Sequence, residues 1–257
     1  MNISISRIKL FKACRRAYYL KYIEDLEPVE QATALATGSN YHSKLEELYN
    51  TGDVDTSDFS KESAMAVAYK KYIYPQFSVD SVEDWIEKEI APGFTLIGRA
   101  DGIAKDGYLV EHKTTSMEVT EEYEYNLQWD EQILAYMWMT GSRKVHYTVC
   151  RKPTIRQKKN ESDEEFFERM VAWYDEDTES KLRLLEVIRT DEEIQQFEDS
   201  VLYLLKDIQE VQDDPDKTAY RNTCHCHMWG RRCEYSSICL SYDPNQEYVE
   251  FTRGGRT

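Results

Sequence analysis

The chain has 257 residues, 41% of them hydrophobic, and its 48 acidic residues outnumber 32 basic ones to leave a net charge of −16. That length supports one sizeable domain with a core of its own, and no stretch approaches the roughly 18 consecutive apolar residues of a membrane-spanning helix. The first twenty residues, MNISISRIKLFKACRRAYYL, lack the long apolar centre and small-residue cleavage site of a secretory signal, which predicts a cytoplasmic protein.

Residues 4–23 read as a helix capped by Ser4 or Ser6, with Ile8, Phe11, Tyr18 and Tyr22 at helical spacing. A second helix is expected over 39–50 after Gly38, and a third over 60–74. The period then changes. Three strands are expected around 85–90, 94–104 and 107–114, joined by Pro-Gly and Lys-Asp-Gly turns. Residues 121–141 predict one long helix and 144–152 a fourth strand. Residues 161–210 are acidic and mostly helical with a strand-like interruption near 185–189, and the chain from Pro215 onward is irregular and rich in cysteine. Strands, a helix and another strand with flanking helices predict an α/β core. There is no G-x-G-x-x-G after a strand, no Walker A loop, no G-x-S-x-G and no H-E-x-x-H, which removes several common enzyme classes.

So negative a chain argues against a nucleic-acid partner, but the charge is segregated. Residues 1–23 carry six cations, Arg15 and Arg16 among them, and residues 141–160 carry seven, including Lys152 and Arg156, with no acid in either segment. The rest of the chain therefore holds −29. Such segregation can lay a basic strip on an acidic body, and it is equally what two solvated basic loops would give.

The stretch GYLVEHKTTS, residues 107–116, begins as a buried strand and ends on Glu111, His112 and Lys113. Glu111 and Lys113, two apart, share one sheet face. Asp101, on the preceding strand across a tight turn, can sit beside Glu111. Two carboxylates forced together favour an oxygen-loving divalent cation, since otherwise one must protonate. The His112 carbonyl is a further candidate ligand, and Thr114 and Thr115 fall where hydroxyls could reach a phosphate. Taken alone, D-x9-E-x-K is better explained by an edge strand with a cross-strand ion pair. Upstream, however, stands Gly38-x3-His42, and downstream Gln132-x3-Tyr136, whose spacing puts both on one helix face.

Six cysteines, at positions 14, 150, 224, 226, 233 and 239, include four within 16 residues near the C-terminus, a clustering that points to metal. Cys226, Cys233 and Cys239 are spaced C-x6-C-x5-C, too open for the close pairs of structural zinc. Cys224, His225 and His227 crowd the same place, so Cys224 in place of Cys226, zinc held by a Cys/His mixture, and unbound thiols all remain open.

In this order the motifs resemble the RecB-like branch of the PD-(D/E)xK nuclease superfamily. Within it they look most like the CRISPR-associated iron–sulfur single-strand exonucleases and their phage-encoded relatives; RKPTIRQKKNES, residues 151–162, looks like a phage version. The resemblance runs from Cys14 to Cys239. It implies a restriction-endonuclease-like central mixed sheet flanked by helices, with an N-terminal helical region and a C-terminal cysteine region. It implies one nuclease domain over 1–257, with a helical part at 1–80, the core at 81–160, an acidic helical part at 161–215 and the cysteine-rich part at 216–257. His42, Asp101, Glu111 and the His112 carbonyl would hold Mg²⁺ or Mn²⁺, and Lys113 would position the attacking water. Gln132 and Tyr136 would line the site and hold the strand, with Tyr136 or nearby aromatics stacking bases. Cys14, Cys226, Cys233 and Cys239 would hold a [4Fe–4S] cluster. Arg15, Arg16, Lys152 and Arg156 are candidates for a DNA phosphate track. The activity implied is exonucleolytic cleavage of single-stranded DNA ends in recombination or processing, with a helicase or recombination partner, in the host cytoplasm if the gene is carried by a phage. The alternative is a non-catalytic iron–sulfur module that binds DNA or protein within a recombination or CRISPR-adaptation complex; the intact Asp101, Glu111, Lys113, Gln132 and Tyr136 favour the enzyme.

Overall fold

The structure, a computed structural model, describes residues 1–29, 33–228 and 230–254. In chain order the elements are β1 (Asn2–Ser4), α1 (Ile5–Ala13), α2 (Arg15–Tyr18) continued by a π turn, β2 (Leu26–Pro28), α3 (Thr33–Thr51), α4 (Lys61–Tyr72), β3 (Val79–Ala91), β4 (Phe94–Ala104) and β5 (Leu109–Thr115). Then come α5 (Glu121–Leu127), α6 (Glu131–Thr140), β6 (Lys144–Arg151), α7 (Asp163–Glu176), β7 (Leu182–Ile188), α8 (Asp191–Asp213), α9 (Pro215–Thr218), β8 (His227–Met228), β9 (Arg231–Arg232) and β10 (Phe251–Arg253). The chain is mixed α/β, with a central mixed sheet flanked by helices. Among the described residues no helix is long and apolar enough to cross a membrane.

Two compact units emerge. One comprises Ala32–Ile86 and Gly98–Gln195, the other Met1–Gln31, Glu87–Ile97 and Gln196–Thr257.

In the larger unit β4 pairs antiparallel with β5, β5 parallel with β6, and β6 antiparallel with β7, while β3 also pairs with β4. On α3, Tyr41, Leu45 and Leu48 form a fully buried stripe that packs in one cluster with Met65, Ala66, Ala68 and Tyr69 of α4. The leucines and Met65 each contribute about 1.5–3 kcal/mol by leaving water. His42, one residue beyond Tyr41, is thereby rotated off the buried stripe. The helix stops at Gly52, whose φ of +78° suits a residue without a Cβ and whose N–H donates to the Leu48 carbonyl.

The helix expected over 121–141 is two helices. Asp130 adopts an extended backbone and its side chain accepts from the Gln132 N–H at 3.0 Å, so it starts α6 afresh. Buried Arg189 donates to the Leu127 carbonyl at 3.2 Å, tying down the end of α5.

In the smaller unit, β1 runs parallel to residues 95–97 of β4, and β2 pairs antiparallel with β10. The single helix expected over 4–23 breaks at Cys14, which is extended, with φ −164° and ψ 112°. A core of Ala17, Leu20, Leu26, Tyr235, Ile238 and Phe251 encloses Cys14.

Candidate active site

β5 buries Leu109 and Val110 and then buries Glu111 and His112 as well, each 2% exposed. Pairing of Gly102 with Val110 leaves Asp101 and Glu111 one residue further along their antiparallel strands. Two glycines flank Asp101 because the backbone there is crowded. A Cβ on Gly98 would lie 2.5 Å from the Tyr136 ring, and one on Gly102 would lie 2.9 Å from the Ser81 carbonyl.

The Lys113 ammonium donates to Glu111 Oε1 and, at 3.0 Å, to Gln132 Oε1. Gln132 Nε2 donates to the Tyr136 hydroxyl at 3.1 Å, which donates in turn to the Arg99 carbonyl at 2.9 Å. The i, i+4 pair on α6 is thus a brace that fixes the lysine. Tyr136 itself is 7% exposed and turns no ring face to solvent.

His112 points to the opposite face. Its Nδ1 is 2.6 Å from Thr148 Oγ1 and its ring stacks on Tyr49. Burial pushes the imidazole down to about 4, so it stays neutral near pH 7. Its backbone serves the site: the N–H donates to Asp101 Oδ2 at 2.6 Å and the carbonyl oxygen lies 3.0 Å from His42 Nε2. His42 Nδ1 is 3.2 Å from Asp101 Oδ1. Both ring nitrogens of His42 therefore face acceptors, and only the imidazolium can donate to both. Burial alone would lower its pKa, but the hydrogen bond and charge of Asp101, with the charges of Glu111 and Glu83, hold it above its ordinary value. Asp101 is held low against burial by His42 and by the His112 N–H.

Glu83 joins this group without any warning from motif spacing. Ligand atoms of His42, Glu83 and Asp101 all lie within 4.8 Å of one another. Glu83 sits in β3 with φ +55°, a left-handed kink that breaks the strand's alternation and re-aims its side chain. Its carboxylate pairs with Arg99 Nε at 2.7 Å, and burial followed by the charge of Asp101 pushes its pKa up.

Glu111 carries the clearest signature. One of its oxygens is buried with no hydrogen-bond partner, an uncommon condition for a carboxylate. Burial, then the charge of Asp101, pushes it up to about 8 despite Lys113, which stays protonated because Glu111 outweighs its own burial. Three carboxylates, one imidazole and the His112 backbone carbonyl form an oxygen-rich donor set that fits a hard divalent cation.

Other expected residues are placed as follows. The Lys152 N–H donates to the Thr115 carbonyl at 2.8 Å, two residues beyond Lys113, and Arg156 is exposed. The Thr115 hydroxyl accepts from the Met117 N–H at 3.1 Å. In the smaller unit Arg15 pairs with Asp207 and lies 4.8 Å from the Tyr220 ring, while Arg16 lies 5.1 Å from the Tyr19 ring.

The cysteines of the smaller unit sort themselves. The Asn222 N–H donates to Cys14 Sγ at 3.4 Å, the Cys226 thiol reaches the Asn222 carbonyl at 3.9 Å, and the Cys233 N–H donates to the Cys226 carbonyl at 3.0 Å. Burial pushes the thiols of Cys233 and Cys239 up, and neighbouring thiols add to it: Cys14 and Cys239 act on Cys233, and Cys14 and Cys226 act on Cys239. Cys224 is exposed. Among the described residues no three Cys or His ligand atoms of this region lie within 4.8 Å of one another.

A model of the PD-(D/E)XK nuclease superfamily matches residues 2–74 and 60–240 of the chain. No curated protein matches it. Among solved structures, the chain is similar to SSO0001 at 13% identity over 79% of this chain and 75% of that one, with a TM-score of 0.40. It is similar to the alkaline exonuclease of Laribacter hongkongensis at 16% identity over 82% and 97%, with a TM-score of 0.39. A phage related exonuclease from Haemophilus somnus 129PT matches at 14% identity over 75% and 96%, with a TM-score of 0.34.

Proposed function

The chain belongs to the PD-(D/E)XK nuclease superfamily, and from that premise we propose that it is a Mg²⁺- or Mn²⁺-dependent deoxyribonuclease that trims single-stranded DNA ends as an exonuclease of the RecB-like, iron–sulfur branch. The observation that carries the reading is the buried Glu111 oxygen without a partner, set between Asp101 and Lys113. His42, Glu83, Asp101, Glu111 and the His112 carbonyl would hold a divalent cation, which when bound would polarise a phosphoryl oxygen and make water a better nucleophile. Lys113, braced by Gln132 and Tyr136, orients the attacking water and offsets charge that develops on the phosphate. Lys152 and Arg156 are the proposed phosphate contacts of the larger unit, and Arg15 and Arg16 those of the smaller one, with Arg15 released from Asp207. The protein's setting is phage or host DNA recombination or processing, beside a helicase.

The cluster reading assigns four thiolates, Cys14, Cys226, Cys233 and Cys239, to a [4Fe–4S] centre. It is supported by the proximity of these thiols, since Cys14 and Cys239 act on Cys233, and Cys14 and Cys226 act on Cys239. Protein purified without oxygen should carry iron and absorb in the visible blue, and Cys224→Ser should keep both. A colourless preparation that contains zinc alone sinks the cluster.

The deciding experiment is cleavage of end-labelled single- and double-stranded DNA with and without Mn²⁺. Wild type should shorten the single strand only with the cation, and Glu111→Gln and Lys113→Ala should not cut. Cleavage by both variants would mean that the site is misassigned.

A further inference from the structure

Tyr136 is buried and hydrogen-bonded through its hydroxyl, so it has no ring face for a base. Two large aromatic rings nearby do. Tyr125 is 56% exposed and Trp129 68% exposed, four residues apart at the end of α5, with their rings edge to face at 6.3 Å. We propose that Tyr125 and Trp129 are a stacking platform for an unpaired nucleobase at the DNA end, and that they make the enzyme select single-stranded ends. This rests on the deoxyribonuclease reading above.

The platform is tied to the reacting centre. Trp129 directly precedes Asp130, whose carboxylate caps α6 by accepting from the Gln132 N–H at 3.0 Å, and Gln132 Oε1 holds the Lys113 ammonium at 3.0 Å. On the other side of Tyr125, the Tyr123 hydroxyl is half-buried and lies within the fields of Lys113 and Asp130. The junction is anchored from beneath by the buried Arg189 guanidinium on the Leu127 carbonyl. Two exposed rings on a fixed junction are neither core nor a loose tip.

Charge decides the occupant. The first turn of α5 carries Glu121 and Glu122, with Glu124 already paired to Arg183, so the uncompensated charge beside the rings is negative and repels a phosphate backbone. A base presents an uncharged π-face and meets no such repulsion. The strand would therefore lie with its phosphate toward Lys113 and its terminal base on Trp129. In a duplex the bases cover one another's faces, and only an unpaired end has one to offer.

The test uses the full chain with Glu111→Gln, which should bind without cutting, and a short fluorescent oligothymidylate. Adding Trp129→Ala should weaken single-strand binding roughly tenfold, the size of one lost stacking contact, and Trp129→Phe should recover most of it. Abasic positions at the strand end should weaken the Glu111→Gln protein by the same factor and cost the Trp129→Ala protein nothing further, a closed double-mutant cycle. A melting temperature unchanged by Trp129→Ala confirms the fold. Equal affinity with and without Trp129, an equal loss on the abasic strand, or a change of oligomeric state in Trp129→Ala overturns the platform. If wild type cuts single strands and Trp129→Ala cuts them equally well, the platform alone fails. If wild type neither binds nor cuts DNA, the deoxyribonuclease reading fails and takes the platform with it.

Discussion

Replacing Glu111 with Gln should make the cation-free protein more stable while removing its activity. Glu111 is 2% exposed, and burial followed by Asp101 pushes its carboxyl from 4.5 up to about 8. Since the folded-state pKa lies above the unfolded one, the folded protein keeps a proton that the unfolded chain has released. Stability from this group is fully present below about pH 4.5 and is lost as pH rises through about 8. At pH 7 the span covers about 2.5 pH units, and at about 1.4 kcal/mol per unit the carboxylate costs about 3 kcal/mol. The variant also changes the hydrogen bond from Lys113, which keeps Gln132 as its partner at 3.0 Å. The net gain at pH 7 is then about 1–3 kcal/mol. Urea unfolding with a chelator at pH 5, 7 and 8.5 reads it directly: the two curves should nearly coincide at pH 5 and separate as pH rises. Mn²⁺ at 100 times its Kd should return about 2.7 kcal/mol to wild type and far less to the variant. A variant less stable than wild type at pH 8.5 without cation would refute the idea that this carboxylate is held under electrostatic strain.

Other outcomes follow from the same geometry. A cation must displace the proton on Glu111 and the second proton on His42, so Mn²⁺ titrated near pH 7 should release protons, and its Kd should fall as pH rises until both groups have lost them; calorimetry in buffers of different ionisation enthalpy checks this, and proton-independent binding would contradict it. Lys113→Ala should lower cleavage by about 10²-fold or more while the protein still folds cooperatively, whereas a variant that cuts normally removes the lysine from the mechanism. Gly98→Ala places a Cβ 2.5 Å from the Tyr136 ring, so it should cost about 1–3 kcal/mol in denaturant and slow cleavage through the displaced Gln132 brace; an unperturbed variant would mean that the ring moves freely.

Much of the site was legible because its spacings obey fixed periods. E-x-K puts Glu111 and Lys113 on one face through the two-residue period of a strand, and Q-x3-Y puts Gln132 beside Tyr136 through the turn of a helix. Asp101 followed from a tight turn between two strands. What escaped depends on backbone breaks and on contacts distant in sequence. The kink at Glu83 cancels the alternation by which a strand residue's face is assigned. The extended Cys14 splits the first helix, and three-residue β2 finds its partner in β10, more than 200 residues away. The division of 121–141 did leave a trace: Asp130 followed by Glu131 and an apolar run is a helix start, but the unbroken helical pattern on both sides masks it.

Two departures from local rules meet at the candidate site. Along the larger unit, propensity, periodicity and burial agree almost everywhere: α3 turns its apolar stripe to α4, and α6 begins at a side-chain cap and ends at a left-handed Gly141. They disagree at Glu83, which takes a conformation that side chains avoid, and at Glu111, which is buried with an oxygen unpaired. A chain selected for stability alone would have an apolar residue at position 111 and an alternating strand through position 83. Both departures converge on Asp101, whose charge raises the pKa of each glutamate. One ligand relieves all of them together. A divalent cation among Glu83, Asp101 and Glu111 would turn mutual repulsion into attraction, so the stability gained by Glu111→Gln and the activity lost by it should be a single effect.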